Sequence, residues 1–181
     1  MKATAYFAAS LDGYIARSDG SIDWLNEASA AVPDGEDLGF KDFLNSVDAI
    51  VMGRKTFEQA LTFGEWAYGK TPVYVMSSKP ISIPPVCPKV VCHSSESPQA
   101  IYKRLKAEGL KHIYVDGGVT IKGFLAAGLI NEIIVTTIPV ILGSGISPFA
   151  GLTKDIMLAL LATESFDCGF VQIKYAVTRK A

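Results

Sequence analysis

Two short stretches gather the groups that grip an anion. In "AIVMGRKTFEQAL", residues 49–61, an apolar run meets Gly53, and Arg54, Lys55 and Thr56 follow at the mouth of a helical pattern. In "HIYVDGGVT" another apolar run ends on Asp116, Gly117 and Gly118, with Val119 and Thr120 opening the next helical segment. A glycine at a strand-to-helix turn lets the backbone come close to a ligand. The unpaired N–H groups and positive dipole end of the following helix favour negative charge. Arg54 adds a planar pair of donors matched to phosphate, and Lys79, after Ser77 and Ser78, a point charge. Two such mouths in one sheet suit the pyrophosphate of a dinucleotide. Any one of them alone is better read as a turn with a solvated cation. Their recurrence in successive positions after predicted strands favours the ligand.

Other groups are less specific. The dinucleotide fingerprint G-x-G-x-x-G is absent, so a nicotinamide nucleotide would be held by another scheme. Asp34, Glu36 and Asp37 stand at the start of a predicted helix, where the dipole alone attracts carboxylates. Trp24 follows a long irregular loop through "LDGYIA"; it covers an aromatic ligand or fills the core, and taken alone the core is favoured. Cys87, Cys92 and Cys168 show no CxxC spacing, and neither His93 nor His112 has an evident role as a base for them. They read as reduced structural thiols of a cytoplasmic protein, with no metal site.

Strands and helices alternate in a way that positions these groups. "KATAYFAA", "AIVM" (49–52), "PVYVMSS" (72–78), "KVVCH" (89–93), "HIYVDGG" (112–118) and "EIIVTTIPVIL" read as strands. "DLGFKDFLNSV", "TFEQAL", "SPQAIYKRLKAEGL" and "VTIKGFLAAGL" read as helices; Ser97 and Pro98 make a good start for the third, and Gly109 and Gly128 end the last two. The tail "MLALLATESFDCGFVQIKYAVT" reads as two strands turning near Asp167, Cys168 and Gly169. The fold class is therefore α/β in three layers. A mostly parallel central sheet of about eight or more strands lies between helices, with an antiparallel C-terminal hairpin, in a single domain over residues 1–181. In such sheets ligands bind beyond the carboxyl ends of the strands, where the glycines and cations gather.

Composition narrows the partners. The 181 residues are 49% hydrophobic with a net charge of -1, and the cations form no block. A nucleic-acid surface is therefore not expected. No apolar run reaches the length of a membrane span, and the amino end lacks the pattern of a signal peptide. Small molecules remain as partners. The apolar strand from Glu132 and the tail hairpin offer a surface for a homodimer.

"ASLDGYIA", a Trp, an acid opening a helix, "VMGRKTFE", "VMSSK", "VDGG" and "TTIPVILGSG" occur in that order. The order resembles the dihydrofolate reductase superfamily, and more closely the bacterial branch related to the reductase (C-terminal) domain of the bifunctional riboflavin-biosynthesis deaminase/reductase. The resemblance implies a cytoplasmic NADPH-dependent reductase of a pterin-like or ribosylaminopyrimidine substrate. It puts Ala8, Ile15 and Ala16 beside the nicotinamide and gives the cofactor phosphates to Gly53, Arg54, Lys55 and Thr56. It surrounds the 2′-phosphate with Ser77, Ser78 and Lys79 and cradles the pyrophosphate on Gly117, Gly118, Val119 and Thr120. Trp24 and Thr136 would line the substrate pocket, and Asp37, partly buried, would bind an N–C–NH2 edge and help supply a proton. The deaminase half, with its H-x-E and P-C-x-x-C pattern, is missing. Arg17, Arg104 and Arg179 give no clear partner for a folate tail, and no ribose-phosphate site can be pointed to. Two rival readings are a non-catalytic nucleotide-binding module on the same fold and a flavodoxin-like carrier. The carrier needs a hydroxyl-rich loop after the first strand, where "ASLDG" offers one hydroxyl.

Overall fold

The computed structural model describes residues 1–64, 66–85 and 87–178; Arg179 lies outside them. In chain order the elements are β1 (Lys2–Ser10), α1 (Asp23–Ser29), α2 (Phe40–Asn45), β2 (Ala49–Gly53), α3 (Arg54–Ala60), β3 (Val73–Met76), β4 (Val91–Ser94), α4 (Pro98–Ala107), β5 (His112–Asp116), α5 (Gly118–Ala126), β6 (Glu132–Ile138), β7 (Met157–Ser165) and β8 (Val171–Thr178). The strands form one eight-stranded sheet in the order β4-β3-β2-β5-β1-β6-β8-β7. Five pairings are parallel, and β8 pairs antiparallel with both β6 and β7. The chain leaves β1, builds β2 to β4 outward, and returns to place β5 between β1 and β2. That insertion makes the switch in strand order at which α/β sheets bind ligands.

The central strands are buried on both faces because helices cover each side. Ala3, Ala5, Val51, Ile113 and Val115 face α4 and α5, meeting Ile101, Leu105, Ile121 and Phe124. Ile50, Met52, Val73 and Val75 face the opposite side, with Phe43 of α2 and Phe57 of α3. This two-sided burial is why these strands read as continuous apolar runs rather than as alternating ones.

Three boundaries differ from expectation for local reasons. The helix expected from Asp37 starts only at Phe40, because Leu38 (φ 55°) and Gly39 (φ 78°) hold left-handed backbone. The strand from Glu132 stops at Ile138, one residue before Pro139, which has no N–H to give to a ladder. The irregular loop expected through Trp24 gives way to α1 at Asp23; Trp24 is buried with Ile138 and Phe170. The tail hairpin turns where expected, with Gly169 at φ 85°.

Two strand-to-helix turns, β2 into α3 and β5 into α5, pack against one another through their glycines. A side chain on Gly53 would meet the Thr120 hydroxyl, and one on Gly117 would land inside the Thr56 hydroxyl. Gly117 also sits at φ 87°. Gly117→Ala is therefore expected to destabilise the protein by about 2 kcal/mol or more, from left-handed strain plus overlap. Gly13→Ala, at φ 84° with open space around it, carries only the strain, at about 1–2 kcal/mol. Urea unfolding of the two variants checks the difference.

Candidate active site

A cavity of about 870 Å³ lies over the carboxyl ends of β3, β2, β5 and β1, within the range of small-molecule sites. Thr56 of α3 packs close over Gly117 before α5, and both turns line the same space. Gly53 and Gly117, the caps of α3 and α5, provide no side-chain cap, whereas Ser97 caps α4 by accepting from the Ala100 N–H. The first turns of both helices line the cavity, with Arg54 and Lys55 on its wall. Arg54 Nη1 donates to Glu58 Oε1 at 2.9 Å along the exposed side of α3. Such an i,i+4 pair is worth only about 0.3–0.5 kcal/mol and leaves the guanidinium free to turn to an anion.

The wall beside the mouth of α5 is built by two distant loops. Leu11 N–H donates to the Val140 carbonyl, Ile15 N–H to the Ile146 carbonyl and Ile146 N–H to the Ala16 carbonyl, each at 2.8 Å. Asp12 ties them further. Its carboxylate accepts from the Leu142 N–H at 3.1 Å, the Gly143 N–H at 2.7 Å and the Ser10 hydroxyl at 2.7 Å. The Ser10 hydroxyl first, then the two N–H groups, hold the Asp12 carboxyl below its usual range. Ala8, Ile15, Ala16 and Ile146 thereby reach the cavity. Gly118 lies under Ile15 and Ile146, where a side chain would fit only if those two gave way by a few tenths of an ångström.

Most of the expected cofactor residues line this one space. Gly53 to Thr56, Ser77, Ser78 and Gly117 to Thr120 are all on its wall, with Ala8, Ile15 and Ala16. Lys79 is exposed and stands off the wall, in a turn whose hydrogen bonds join its backbone to the Ser77 hydroxyl. The expected substrate residues fall elsewhere. Trp24 is buried in the core, its indole N–H without a hydrogen-bond partner among the described residues. Thr136 is buried off the wall and accepts from Gln172 Nε2 at 3.0 Å. Asp37 was expected to be partly buried and is exposed. Its two carboxylate oxygens accept from the Gly39 N–H at 3.0 Å and the Lys41 N–H at 2.9 Å, which fastens the start of α2. Its charge still reaches Tyr6, whose phenol is pushed up mainly by burial.

The cavity is also walled by the aromatic rings of Tyr6, Phe40, Phe63, Tyr68 and Tyr114. The carboxylate on this wall belongs to Asp116, last residue of β5. Burial pushes its carboxyl up to about 6, against the pull of the Gly117 N–H, which donates to Oδ1 at 2.7 Å, and of the nearby Tyr114 and Tyr68 hydroxyls. Tyr114 O–H donates to the Tyr6 carbonyl at 3.0 Å. Asp116 was visible in the sequence only as the acid before a glycine pair. That place, at the end of a buried strand and the mouth of a helix, is the signal that could have singled it out. The aromatic wall gave none, since its residues lie on four separate segments.

The family model of the RibD C-terminal domain matches residues 2–172. The uncharacterized protein YwjB of Bacillus subtilis (strain 168) is 38% identical over 177 residues, 96% of this chain and 97% of its own. A solved structure from Shewanella sp. PV-4, assigned by name to riboflavin biosynthesis, superposes with a TM-score of 0.90 at 34% identity, covering 99% of this chain and 100% of that one. The Thermotoga maritima diaminohydroxyphosphoribosylaminopyrimidine deaminase/5-amino-6-(5-phosphoribosylamino)uracil reductase, at 15% identity and a TM-score of 0.71, shares the fold; 98% of this chain covers 56% of that longer one. With a family model over nearly its whole length, this chain belongs to the RibD C-terminal domain family.

Proposed function

We propose that the protein is an NADPH-dependent reductase that delivers a hydride to a C=N or C=O carbon of a flat, pterin-like or ribosylaminopyrimidine heterocycle. The observation that carries this reading is the pair of strand-to-helix turns, at Gly53 and Gly117, lining one cavity together with Tyr6, Phe40, Phe63, Tyr68, Tyr114 and, among the described residues, one carboxylate, Asp116. The residues fit the cofactor. Gly117 and Gly118 line the cavity without side chains of their own, and Arg54, Lys55 and Thr56 stand on the same wall. Ser77 and Ser78, with Lys79 just beyond, would take the 2′-phosphate; Ala8, Ile15 and Ala16 would flank the nicotinamide. When bound, the cofactor supplies the hydride.

The chain's own contribution is orientation, exclusion of water and a proton. Small Ala8 and Ala16 permit close approach of two rings, the geometry that hydride transfer needs. Asp116 takes the role first considered for Asp37: its carboxylate can accept from an N–C–NH2 edge, and its protonated form can give the proton that balances the hydride. With a pKa of about 6, on the order of a tenth of the molecules carry that proton at pH 7. A donor poised near working pH is efficient.

A second copy of this chain is the proposed macromolecular partner. β7 is exposed along its whole length, and Met157, Leu158, Leu160 and Leu161 are 41–61% exposed on both of its faces. A strand meant to stay in water alternates polar with apolar residues, and this one does not. Pairing of one edge hairpin with its symmetry mate covers both copies at once. Among the described residues no helix is long and apolar enough to cross a membrane.

Four outcomes are expected. Lys79→Ala should weaken NADPH binding about tenfold, the worth of one charge-assisted contact, and leave NADH unchanged; fluorescence titration with both nucleotides measures this. Asp116→Asn should lower kcat about a hundredfold or more and remove an inflection near pH 6 from the kcat/KM profile. Because burial raises the Asp116 pKa, ionisation costs stability, which is lost as pH rises from the unfolded value of 3.8 to about 6. Asp116→Asn should therefore be more stable than the parent at pH 8, by on the order of 3 kcal/mol in urea unfolding, and the gap should close at pH 4. Sedimentation at micromolar concentration should give a dimer, and Leu160→Glu with Leu161→Glu a monomer; a monomeric parent removes the dimer.

A further inference from the structure

The parallel ladder between β3 and the edge strand β4 ends in an irregular step. Met76 is paired with Ser94, and the Ser77 N–H still donates to the Ser94 carbonyl at 2.9 Å. One step further, the same register would bring the Glu96 N–H to the Ser77 carbonyl. That N–H donates instead to the Ser94 hydroxyl as the chain turns off towards α4. The Ser77 carbonyl is taken by a side chain: His93 Nε2 lies 2.8 Å from it. A carbonyl only accepts, so Nε2 carries the hydrogen and donates. His93 thus carries the hold of β4 on this segment one hydrogen bond beyond the ladder.

The residues after Ser77 depend on that hold. The Ser77 hydroxyl donates to the Lys79 carbonyl at 2.7 Å and accepts from the Lys79 N–H at 3.1 Å, which closes a small turn. Its one hydrogen is therefore spent, and none is left for an anion. Ser78 and Lys79 are exposed, and Ser78 stands with Ser77 on the cavity wall. Among the described residues the Ser78 hydroxyl makes no hydrogen bond and the Lys79 ammonium no ion pair. Glu96, the acid that follows β4, is already occupied. It accepts from Arg104 Nη2 at 2.7 Å and Nε at 3.0 Å, and from the Ser94 hydroxyl at 3.0 Å. The donors left over in the turn are a hydroxyl and an ammonium, which suit a phosphate dianion.

We propose that His93 is a positioning residue for nucleotide choice: it holds the Ser77–Lys79 turn so that the Ser78 hydroxyl and the Lys79 ammonium take the 2′-phosphate of NADPH, while Ser77 braces the turn. The assignment rests on the reductase reading and narrows its 2′-phosphate contacts from three residues to two. Without the His93 bond the turn is looser, and ordering it around a phosphate costs affinity that a preset turn keeps.

The test is titration of the intact protein with NADPH and with NADH, followed by nucleotide fluorescence. His93→Ala should weaken NADPH binding about fivefold, the scale of one hydrogen bond, and leave NADH unchanged. His93→Gln, whose amide can donate to the same carbonyl, should stay within about twofold of the parent. In a background of Ser78→Ala with Lys79→Ala, His93→Ala should cost NADPH nothing more, because nothing is left to position. Equal loss of both nucleotides, loss of neither, His93→Gln as weak as His93→Ala, or a full His93→Ala effect in the double background overturns the assignment. So does a parent that binds NADH as tightly as NADPH. A parent that binds neither nucleotide removes the reductase reading and the assignment with it. A parent that prefers NADPH, with the preference untouched by His93→Ala, removes the assignment alone.

Discussion

The contact between two strand-to-helix turns holds the site together. Gly53 faces the Thr120 hydroxyl and Gly117 faces the Thr56 hydroxyl, so each turn supplies the glycine that the other turn's threonine needs. β2 and β5 are hydrogen-bonded neighbours in parallel register, which sets their ends level, and the helices leaving them open side by side. A side chain at either glycine would push those helices apart. Anion-binding capacity here is therefore a packing property of the sheet rather than of either loop.

Around that contact the charges come from separate elements. Arg54 and Lys55 stand at the mouth of α3, while carboxylates stand at the starts of α1 and α2. The cavity wall also holds a buried carboxyl whose raised pKa reflects poor hydration more than any neighbour. The aromatic wall adds a low-dielectric surrounding in which Asp116 acts strongly and stray water does not compete.

Much of the fold could be read from the chain because buried parallel strands leave long apolar runs and glycines punctuate their ends. Gly53 to Thr56 and Gly117 to Thr120 were legible for that reason: local turn chemistry already announces a close approach. Asp37 was not, since a carboxylate before a helix reads the same whether it binds a ligand or fastens the helix start. Its use by the Gly39 and Lys41 N–H groups depends on left-handed backbone at Leu38 and Gly39. Trp24 hid for a similar reason, its partners Ile138 and Phe170 lying far along the chain. The Tyr6, Phe40, Phe63, Tyr68 and Tyr114 wall is assembled by tertiary packing, and no periodicity within one element records it.

The bridge from Asp12 to Leu142 and Gly143 spans about three quarters of the polypeptide. Its two strands of backbone extend from β1 and β6, which lie side by side in parallel register, so the bridge forms only where those strands have paired. A nascent or partly unravelled chain thus owns the glycine turns while still lacking the Ile15–Ile146 side of the chamber. Occupancy by a nicotinamide ring becomes a late privilege of the finished topology, and the ring in return would clasp the first and last thirds of the molecule against each other.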